Sequence, residues 1–422
     1  METRVIIVGG GFGGLKAAKL LGHSPQIKVT LLDRKNHHLF QPLLYQVATA
    51  SISPTDIAVP IRMILSAYKN ISVHMENVVS IDLIEKKLIT DSDQHDFDYL
   101  IMACGSTHSY FGKDEWENLA PGLKTIEQAL EMRRRILTAF ELAEKETDTK
   151  LQAKLLTFAI IGCGPTGVEL AGALAELASS ILSKEFRRIH PEMLRVILVD
   201  GGDRLLMSFH PLLSEKAKQA LQNRGVEIIQ NQHVENITNE GIVIAGKLIE
   251  AKTILWAAGV KAPAINQTLG VPMDKQGRVI VRSDLSLPGS KNIFVIGDQA
   301  HFDSPTGPLP GLAPVAVQQA ACAVKNIFSD LQKKPRTNFT YINRGIMAVI
   351  GRSTAIVEAP FGKLSGFMAW IIWLFVHVMA LVGHRNRLIV FVNWAWAYFT
   401  FKGGARLITN ANWTETKSNI LP

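Results

Sequence analysis

Cysteine is scarce in this sequence, with three residues among 422. Cys104, Cys163 and Cys322 are far apart, and no C-x-x-C or C-x₄-C pair occurs, which argues against an enzyme that cycles between a dithiol and a disulfide. Cys104 and Cys163 each end an apolar strand, where we expect small, buried, inert side chains. Histidine, cysteine and carboxylate residues show no metal-ligand spacing, and His37–His38 is only a neighbouring pair, so no metal is predicted.

Acidic residues are missing between Ala359 and Thr414. Most of the net charge of +8 therefore lies at the C-terminal end, which also holds most of the seven tryptophans. Basic side chains attract anionic lipid headgroups, and tryptophan favours the boundary between membrane and water. The distribution indicates a lipid surface, and not nucleic acid, as the partner of this end. The residues concerned are Lys363, Arg385, Arg387, Lys402 and Arg406, with Trp370, Trp373, Trp394, Trp396 and Trp413.

The apolar run Gly366–Gly383 has 18 residues by its numbering and one ionisable side chain, His377. That length is just enough to span a bilayer, whereas the following run, Leu388–Phe401, has 14 residues and is too short. A spanning helix would carry positive charge to the far side, against the positive-inside tendency. The residues alone leave three arrangements open: a spanning helix, a hairpin in the interface, and a buried helix pair.

Length and composition favour an α/β enzyme. A chain of 422 residues can form two or three domains, and a hydrophobic content of 47% in many short runs excludes a disordered chain. The first strand is predicted to begin by residue 4, so we expect no secretory signal or transit peptide.

Glycine recurs in an informative pattern, Gly9-x-Gly11-x-x-Gly14, between the predicted strand Val5–Val8 and the predicted helix Leu15–Leu21. Such glycines allow a tight turn, close approach of the backbone to a pyrophosphate and close packing of helix on strand. The N-terminus of the helix attracts the phosphates. The next predicted strand, Val29–Leu32, ends at Asp33, whose carboxylate can accept hydrogen bonds from the ribose of an adenosine. The pattern predicts a dinucleotide site.

The same spacing returns at Gly162-x-Gly164-x-x-Gly167, between the predicted strand Leu156–Ile161 and the predicted helix Thr166–Leu182. The next predicted strand, Arg195–Val199, ends at Asp200. Two motifs in the same local context predict a protein that holds two dinucleotides at once.

The second motif departs from the usual spacing, because the polar stretch Ser183–His190 precedes the strand that ends at Asp200. We predict a helix extension and loop there, since loops tolerate insertions. A carboxylate at this strand end would repel a 2′-phosphate, so NADH is expected over NADPH. Arg204 is the alternative, as it could contact such a phosphate.

Further segments are consistent with a flavin bound beside the first glycine motif. Tyr99–Gly105 and Thr253–Gly259 are predicted strands that end in small-residue turns, and Asn292–Asp298 closes in Gly-Asp, where a carboxylate can bind ribityl hydroxyls. The predicted helix Pro314–Leu331 would point its N-terminus at the flavin pyrimidine. The segment His38–Ala48 can lie against a flat ring or pack in a core.

These motifs make the chain resemble the type II NADH:quinone oxidoreductases, the single-subunit, non-proton-pumping NADH dehydrogenases of the two-dinucleotide-binding-domain flavoprotein superfamily. The resemblance runs from Val5 to about Ile408, and the basic, tryptophan-rich C-terminal pair also matches. Its most distinctive segments are FQPLLYQVA at 40–48, GPTGVELAG at 164–172, WAAGV at 256–260 and Gly297-Asp298.

The resemblance implies an α/β fold with two Rossmann-like dinucleotide-binding domains, for FAD and NAD, and a C-terminal amphipathic helical region that anchors on a membrane. It implies non-covalent FAD in the first site and NADH in the second. The residues expected at FAD are Gly9, Gly11, Phe12, Gly13, Gly14, Asp33, Arg34, Gln41, Pro42, Leu43, Ala103, Gly105, Gly297, Asp298, Ala316 and Val317. Those expected at NADH are Gly162, Gly164, Pro165, Thr166, Gly167, Asp200, Ala258 and Gly259.

Two residues are expected to be catalytic by resemblance. Glu169 matches a family glutamate near the nicotinamide and flavin, where it positions the nicotinamide or relays a proton; the alternative is an acid favoured only by the helix dipole. Gln318 matches a family glutamine near the quinone head, with Gln319 as a neighbour that faces elsewhere. Some relatives carry a further glutamine where this chain has Pro314. His377 either approaches the quinone or snorkels.

The implied activity is FAD-dependent transfer of two electrons from NADH to a membrane quinone in a respiratory chain, without proton pumping. The implied organisation is an FAD domain in two parts, 1–112 and 263–334, an NADH domain, 113–262, and a membrane-associating region, 335–422. The expected location is the cytoplasmic face of a bacterial inner membrane, held peripherally. The quinone type and a homodimer stay open. Alternatives are a sulfide:quinone or ferredoxin-type reductase and a non-catalytic NADH sensor.

Overall fold

The computed structural model describes residues 2–182, 184–400 and 405–408. Ser183, Lys402 and Trp413, to which the sequence analysis gives places in the polar insert and the C-terminal end, lie outside these residues.

The strands of the described residues are β1 (Thr3–Val8), β2 (Ile27–Asp33), β3 (His37–Leu39), β4 (Ala58–Pro60), β5 (Ile71–Met75), β6 (Val78–Asp82), β7 (Lys87–Thr90), β8 (Gln94–Asp96), β9 (Tyr99–Met102), β10 (Thr107–His108), β11 (Thr157–Ile161), β12 (Arg195–Val199), β13 (Val226–Ile229), β14 (Val234–Ile237), β15 (Gly241–Ile244), β16 (Lys247–Glu250), β17 (Thr253–Trp256), β18 (Val260–Lys261), β19 (Val279–Ile280), β20 (Ser286–Leu287), β21 (Ser290–Val295), β22 (Ala300–His301), β23 (Asp303–Ser304), β24 (Gly307–Pro308), β25 (Ile346–Gly351), β26 (Thr354–Ala359) and β27 (Gly362–Gly366).

The α-helices are α1 (Phe12–Leu21), α2 (Leu44–Ala48), α3 (Pro54–Ile57), α4 (Ile61–Leu65), α5 (Ile126–Lys145), α6 (Thr149–Leu155), α7 (Pro165–Leu182), α8 (Pro211–Gln222), α9 (Ala313–Leu331), α10 (Phe367–Ala380) and α11 (His384–Thr400). Short 3₁₀ helices cover Gln41–Leu43, Asp114–Asn118, Pro191–Met193, Ala264–Leu269 and Gly297–Gln299.

The chain divides into two compact units, each assembled from three stretches of sequence. The first unit consists of Met1–Leu39, Ala58–His108 and Val260–Arg344. The second unit consists of Phe40–Ile57, Ser109–Gly259 and Gly345–Pro422. The segment Phe40–Ile57 thus leaves the first unit, although its neighbours on both sides in the sequence belong to it.

The first unit is built on a six-stranded sheet with the order β20-β21-β9-β1-β2-β5. Its strands pair in parallel from β21 to β5, and β20 joins antiparallel. Continuous apolar runs suit strands that are buried on both faces, and the core includes Ile6, Leu32, Leu100 and Val295. A separate antiparallel sheet, β6-β7-β8, follows β5 in the same unit.

Helix α1 packs against α9 within the first unit. A Cβ atom at Gly13 would lie 3.1 Å from Ile296 Cδ1 and 3.3 Å from the carbonyl oxygen of Ala316, so glycine permits this close approach. Gly13 and Ala316 are both predicted cofactor residues, and here they also have a packing role.

The second unit is built on a four-stranded parallel sheet with the order β13-β12-β11-β17. Helix α7 follows β11 and packs against β25, the first strand of the antiparallel sheet β25-β26-β27. That contact depends on Gly172, because a Cβ atom there would lie 1.8 Å from the carbonyl oxygen of Ile350. These two parallel sheets, each with a glycine turn and a helix, confirm the α/β class and the two Rossmann-like folds.

In residues 184–190 the polar insert forms the predicted loop but not the predicted helix extension. Helix α7 ends at Leu182, and residues 184–190 form turns and irregular structure without a helix extension. The carboxylate of Glu144 accepts hydrogen bonds from the backbone N–H groups of Arg187, Arg188 and Ile189. Backbone groups bound in this way are not available for a continuing helix.

Helices α10 and α11 are tied to the segment Phe40–Ile57 inside the second unit. Trp373 on α10 is buried, and Trp394 Nε1 on α11 donates to Gln46 Oε1 at 2.8 Å. Asn386 Nδ2 donates to the carbonyl oxygen of Asp56 at 3.1 Å. Across the described residues, we find no helix that combines the length and the apolar character needed to cross a membrane.

Candidate functional site

The first glycine turn, Gly9 to Gly14, separates the roles of its glycines. Gly9 has a φ of +102°, which favours glycine, and a Cβ atom at Gly14 would lie 1.8 Å from the carbonyl oxygen of Gly9. At Gly11, in contrast, an added Cβ atom meets nothing within 4 Å. Gly9 and Gly14 are therefore required by the turn itself, while Gly11 leaves open space where α1 begins.

Asp33, at the end of β2, is fixed against this turn by both carboxylate oxygens. Its Oδ2 accepts a hydrogen bond from the backbone N–H of Gly10 at 2.6 Å, and its Oδ1 accepts one from Lys35 at 2.7 Å. A carboxylate oxygen can accept more than one hydrogen bond, so the group is held in place and can still accept from a ribose.

The second turn, Gly162 to Gly167, repeats this geometry. Gly162 has a φ of +109°, a Cβ atom at Gly167 would lie 1.8 Å from the Gly162 carbonyl oxygen, and Gly164 is open in the same way as Gly11. Asp200 Oδ2 accepts from the N–H of Cys163 at 2.6 Å, and its Oδ1 accepts from Gly202 at 2.7 Å. Although Asp200 lies further along the sequence than usual, the fold places it against the second turn as Asp33 is placed against the first.

Arg204, the alternative contact for a 2′-phosphate, is held near the second turn. Its Nη2 donates to the carbonyl oxygen of Met207 at 2.9 Å.

The first turn also meets a test of fit for FAD. His38 is buried, and its Nδ1 lies 3.0 Å from the carbonyl oxygen of Gly10, an acceptor that requires a proton on Nδ1. The other ring nitrogen, Nε2, is also buried and finds no hydrogen-bond partner among the described residues. Burial lowers the pKa of His38 below its ordinary value, so the neutral ring offers Nε2 as an acceptor. A dinucleotide with hydroxyl donors fits such a turn.

The Gly297-Asp298 turn lies at the end of β21 in the first unit. Gly297 has a φ of +74°, and its N–H donates to Gln319 Oε1 at 2.7 Å. Asp298 Oδ2 accepts from Ser106 Oγ at 2.8 Å, and a Cβ atom at Gly311 would lie 2.9 Å from the carboxylate carbon. Ser106, Gln319 and Gly311 therefore shape the predicted ribityl contact, and sequence reasoning missed all three in this role.

Gln318 and Gln319 form hydrogen bonds with different segments of the first unit. Gln318 Nε2 donates to the carbonyl oxygen of Ile342 at 3.0 Å, and Gln318 Oε1 accepts from the Ile342 N–H at 2.9 Å. Gln319 is buried and holds the Gly297 turn. Each end of the Gln318 amide can make one more hydrogen bond, so a quinone contact is compatible with both bonds to Ile342, and the catalytic role of Gln318 stays a prediction.

The other predicted cofactor residues fall into the two units as follows. The first unit contains Phe12, Gly13, Arg34, Ala103, Gly105, Ala316 and Val317, and the second contains Gln41, Pro42, Leu43, Pro165, Thr166, Ala258 and Gly259. The roles predicted for these residues at FAD and NADH remain predictions.

Glu169 lies early on α7, two residues after the last glycine of the second turn. Burial raises the pKa of its carboxyl to about 8, against a weaker opposing effect of the Val349 N–H, which lies 3.4 Å from Oε1. A carboxyl with a pKa in this range can hold or release a proton near neutral pH.

The three cysteines are free thiols, and Cys163 is buried while Cys104 is half-buried. Burial raises the pKa of Cys104 to about 12 and also raises that of Cys163. Since the thiolate is the nucleophile, both residues are unreactive at neutral pH, in line with the expectation from their positions in the sequence.

Comparisons with known proteins agree with this architecture. Residues 3–320 match the family described as pyridine nucleotide-disulphide oxidoreductase, and residues 343–401 match the NDH2 C-terminal domain. A type II NADH:quinone oxidoreductase of Mycobacterium tuberculosis is 40% identical over 423 residues, covering 96% of this chain and 90% of that protein.

Solved structures share the fold at lower identity. NDH2 from Plasmodium falciparum in complex with NADH has a TM-score of 0.88 at 19% identity, with 97% of this chain and 100% of that chain covered. A sulfide:quinone oxidoreductase from Aquifex aeolicus has a TM-score of 0.72 at 21% identity, with coverages of 94% and 95%. The fold alone therefore does not select the electron donor, whereas the sequence matches confirm the resemblance. The chain belongs to the type II NADH:quinone oxidoreductases, within the pyridine nucleotide-disulphide oxidoreductase family.

Proposed function

We propose that this protein oxidises NADH and passes two electrons to a membrane quinone, with non-covalent FAD as its cofactor and without pumping protons. The observation that carries the proposal is the repeated turn. Two glycine turns in two parallel sheets each hold an aspartate by the same pair of backbone hydrogen bonds. Each turn suits one dinucleotide, so one chain can hold a bound cofactor and a nucleotide substrate together.

The first unit supplies the residues for FAD. The N-terminus of α1 faces the diphosphate through the open space at Gly11, Asp33 binds the adenosine ribose, and Asp298, oriented by Ser106, binds the ribityl chain. When bound, FAD supplies a hydride acceptor that can later give up two electrons.

The second unit supplies the residues for NADH. Gly164 leaves space for the diphosphate at the N-terminus of α7, and Asp200 accepts from the ribose hydroxyls. A fixed carboxylate repels a 2′-phosphate, so we propose that NADH is preferred over NADPH. Glu169, with its raised pKa, holds or moves a proton at its carboxyl oxygen.

We further propose the predicted division of labour, with 1–112 and 263–334 for FAD, 113–262 for NADH and 335–422 for membrane association. The repeated turns support the assignment of the two nucleotides. The compact units differ from these ranges. Phe40–Ile57 packs with the second unit, 335–344 belongs to the first unit, and 345–422 belongs to the second unit together with the predicted NADH region, while the other boundaries shift by a few residues.

Peripheral attachment to the cytoplasmic face of a bacterial inner membrane belongs to the same proposal. Large apolar side chains are exposed on the C-terminal helices, among them Phe375 at 67% and Phe391 at 60%. Exposed apolar groups beside basic ones, such as Lys363 and Arg385, suit insertion into an anionic interface.

Anaerobic stopped-flow absorbance of the purified flavoprotein tests the activity. Mixing with NADH is expected to bleach the flavin band, and a second mixing with a short-chain quinone is expected to restore it. Restoration by quinone supports NADH as the electron donor and quinone as the acceptor. Bleaching without reoxidation would overturn quinone as the acceptor and keep the cofactor. Bleaching by sulfide, with none by NADH, would overturn NADH as the electron donor.

A further inference from the structure

Three metal-ligating side chains come together in the first unit, at a place that the proposed reaction does not use. His74 Nδ1 lies 3.1 Å from Glu76 Oε1, and His95 Nε2 lies 2.7 Å from Glu76 Oε2. One ligand atom from each of the three residues can be chosen so that all lie within 4.8 Å of one another.

The fold explains why this cluster cannot be recognised from the spacing of its residues in the sequence. His74 lies on β5, the edge strand of the six-stranded sheet, and Glu76 follows directly after that strand. His95 lies on β8, an edge strand of the antiparallel sheet β6-β7-β8. The spacing of one histidine to the other matches no common ligand pattern, so only the approach of the two sheet edges brings them together.

The donor set selects a class of metal ion. Two imidazoles and a carboxylate are the ligands of zinc sites with an open fourth position, with bonds of about 2.0–2.2 Å. Ligand atoms on such an ion lie about 3.3 Å apart, as tetrahedral geometry at these bond lengths requires. The two histidine nitrogens lie within hydrogen-bonding distance of different oxygens of Glu76, so metal binding requires small rotations of the carboxylate and of the rings. His74 has room for such a rotation, since its side chain is 42% exposed.

Burial and access also suit a bound ion. The side chains of Glu76 and His95 are only 12% and 14% exposed, so two of the three ligands are shielded from water. An open cleft of about 660 Å³ is lined by His74 and Glu76 and gives access from solvent. Of the residues that line this cleft, Glu76 is acidic and Arg62 is basic.

Both oxygens of the Glu76 carboxylate have a histidine partner, His74 at 3.1 Å and His95 at 2.7 Å. The two rings meet edge to face, with centroids 5.7 Å apart. Without a metal, the three side chains form a hydrogen-bonded link between the two sheets.

We propose that His74, Glu76 and His95 form a binding site for one divalent transition-metal ion of the zinc type, with water in the fourth position. The ion would clip the antiparallel sheet to the edge of the six-stranded sheet. The clip lies next to Asp33, because the N–H of Glu76 donates to the carbonyl oxygen of Asp33 at 3.0 Å. Its role is therefore to stiffen the strand ends beside the first glycine turn, and it takes no part in electron transfer.

Equilibrium dialysis of the flavin-loaded, chelator-treated full chain against Zn²⁺, with the metal counted by mass spectrometry, tests the site. The protein must carry no polyhistidine tag. About one tightly bound Zn²⁺ per chain is expected. Glu76→Gln and His95→Gln should each weaken its binding at least tenfold, since each removes one of three protein ligands. His190→Gln, a change at an exposed histidine outside the cluster, is the matched control and should bind as the parent does.

Two measurements keep the result clear if a variant folds poorly. Flavin content and visible circular dichroism report whether each variant is folded. Pulsed electron paramagnetic resonance of the unmodified protein with less than one equivalent of Cu²⁺ should show two imidazole nitrogens, because copper takes the same ligands. A parent protein that binds no Zn²⁺, folded variants that bind it equally well, or a copper signal without two imidazoles would overturn the site.

Hydrogen exchange tests the clip separately. Saturating Zn²⁺ should slow exchange in peptides that contain β5 and β8 and leave peptides from the second unit unchanged. Uniform or absent protection would overturn the proposed role of the ion.

Discussion

Asp33 and Asp200 are held in the same way at the two proposed nucleotide sites. Each carboxylate fixes the turn beside it through one N–H within the glycine motif and one N–H two residues further on. Their value to a nucleotide is that the acceptor is already in place, so little ordering remains when the ribose binds. The same rigidity makes the second carboxylate a barrier to a 2′-phosphate.

Replacement of Asp200 by asparagine should therefore change nucleotide choice. The amide keeps the size but loses the charge and one of the two acceptors that hold the turn, so KM for NADH should rise about tenfold or more, at least the size of one lost charge-assisted hydrogen bond. The ratio of kcat/KM for NADPH to that for NADH should rise at least about tenfold, because the repulsion is removed. Steady-state kinetics with both nucleotides measures the ratio. Asp203→Asn, an exposed neighbour, is the control, and an equal effect of both changes would contradict the assignment.

Glu169 should give the protein a pH dependence. Its folded pKa of about 8 lies above that of an unfolded glutamate, near 4.5. Between these pH values the folded protein therefore holds one more proton at this residue than the unfolded protein does. The stability contributed by protonated Glu169 is full below about pH 4.5 and is lost as pH rises towards 8, since stability falls where the folded state holds more protons.

Glu169→Gln should remove this loss of folding stability at high pH. Denaturation midpoints at pH 6 and pH 8.5 should differ more in the parent than in the variant, and the rate of flavin bleaching by NADH should lose any transition near pH 8. Glu250→Gln, at an exposed strand end, should behave as the parent. Equal pH profiles for Glu169→Gln and the parent would show that this carboxyl does not titrate in the range.

At the scale of elements, each strand-turn-helix has two glycines that the turn requires and one that leaves space for a ligand. Gly11 and Gly164 are the spacious ones, since an added methyl group meets no protein atom within 4 Å. Their φ angles do not lie in the left-handed region, so alanine fits the backbone at both positions. The two positions allow the nucleotide sites to be probed one at a time.

Gly11→Ala and Gly164→Ala form a matched pair. Gly11→Ala should yield a folded protein with much less bound flavin, because the methyl group occupies the space of the diphosphate. Gly164→Ala should retain flavin but raise KM for NADH about tenfold or more. Flavin absorbance per chain and steady-state kinetics separate the two results. Loss of flavin in both variants, or in neither, would contradict the assignment of one nucleotide to each turn.

The strands and turns at these motifs were predictable because their signals are local. Short apolar runs, glycine spacing and a terminal aspartate predict β1, α1, β2, β11, α7 and β12 without knowledge of the rest of the chain. The residues that support the site were not predictable, because they depend on helix phase and on distant contacts. Gln319 reaches Gly297 while Gln318 binds Ile342, and adjacent glutamines on a predicted helix give no means of telling them apart. Ser106 and the cluster of His74, Glu76 and His95 require contacts between segments that are separated in the sequence.

At the scale of the whole molecule, the C-terminal helices both pack against the second unit and present an exposed apolar face. Trp394 and Asn386 bind them to the rest of the second unit, whereas Phe375, Phe391 and Trp396 face outward. Removal of both helices would therefore expose buried surface as well as delete the exposed face. Substitution of the outward side chains separates attachment to a membrane from folding.

The double change Phe375→Ser/Phe391→Ser should weaken binding to anionic vesicles about tenfold or more, since each phenylalanine contributes on the order of 1–2 kcal/mol when its ring leaves water. Flotation with phosphatidylglycerol vesicles measures the bound fraction. Flavin content and bleaching by NADH should be unchanged, because neither ring belongs to the core. Ile84→Ser, which removes an apolar side chain that is 90% exposed in the first unit, is the control and should float as the parent does. If the double variant floats equally well, the exposed faces of α10 and α11 are not the surface that enters the membrane.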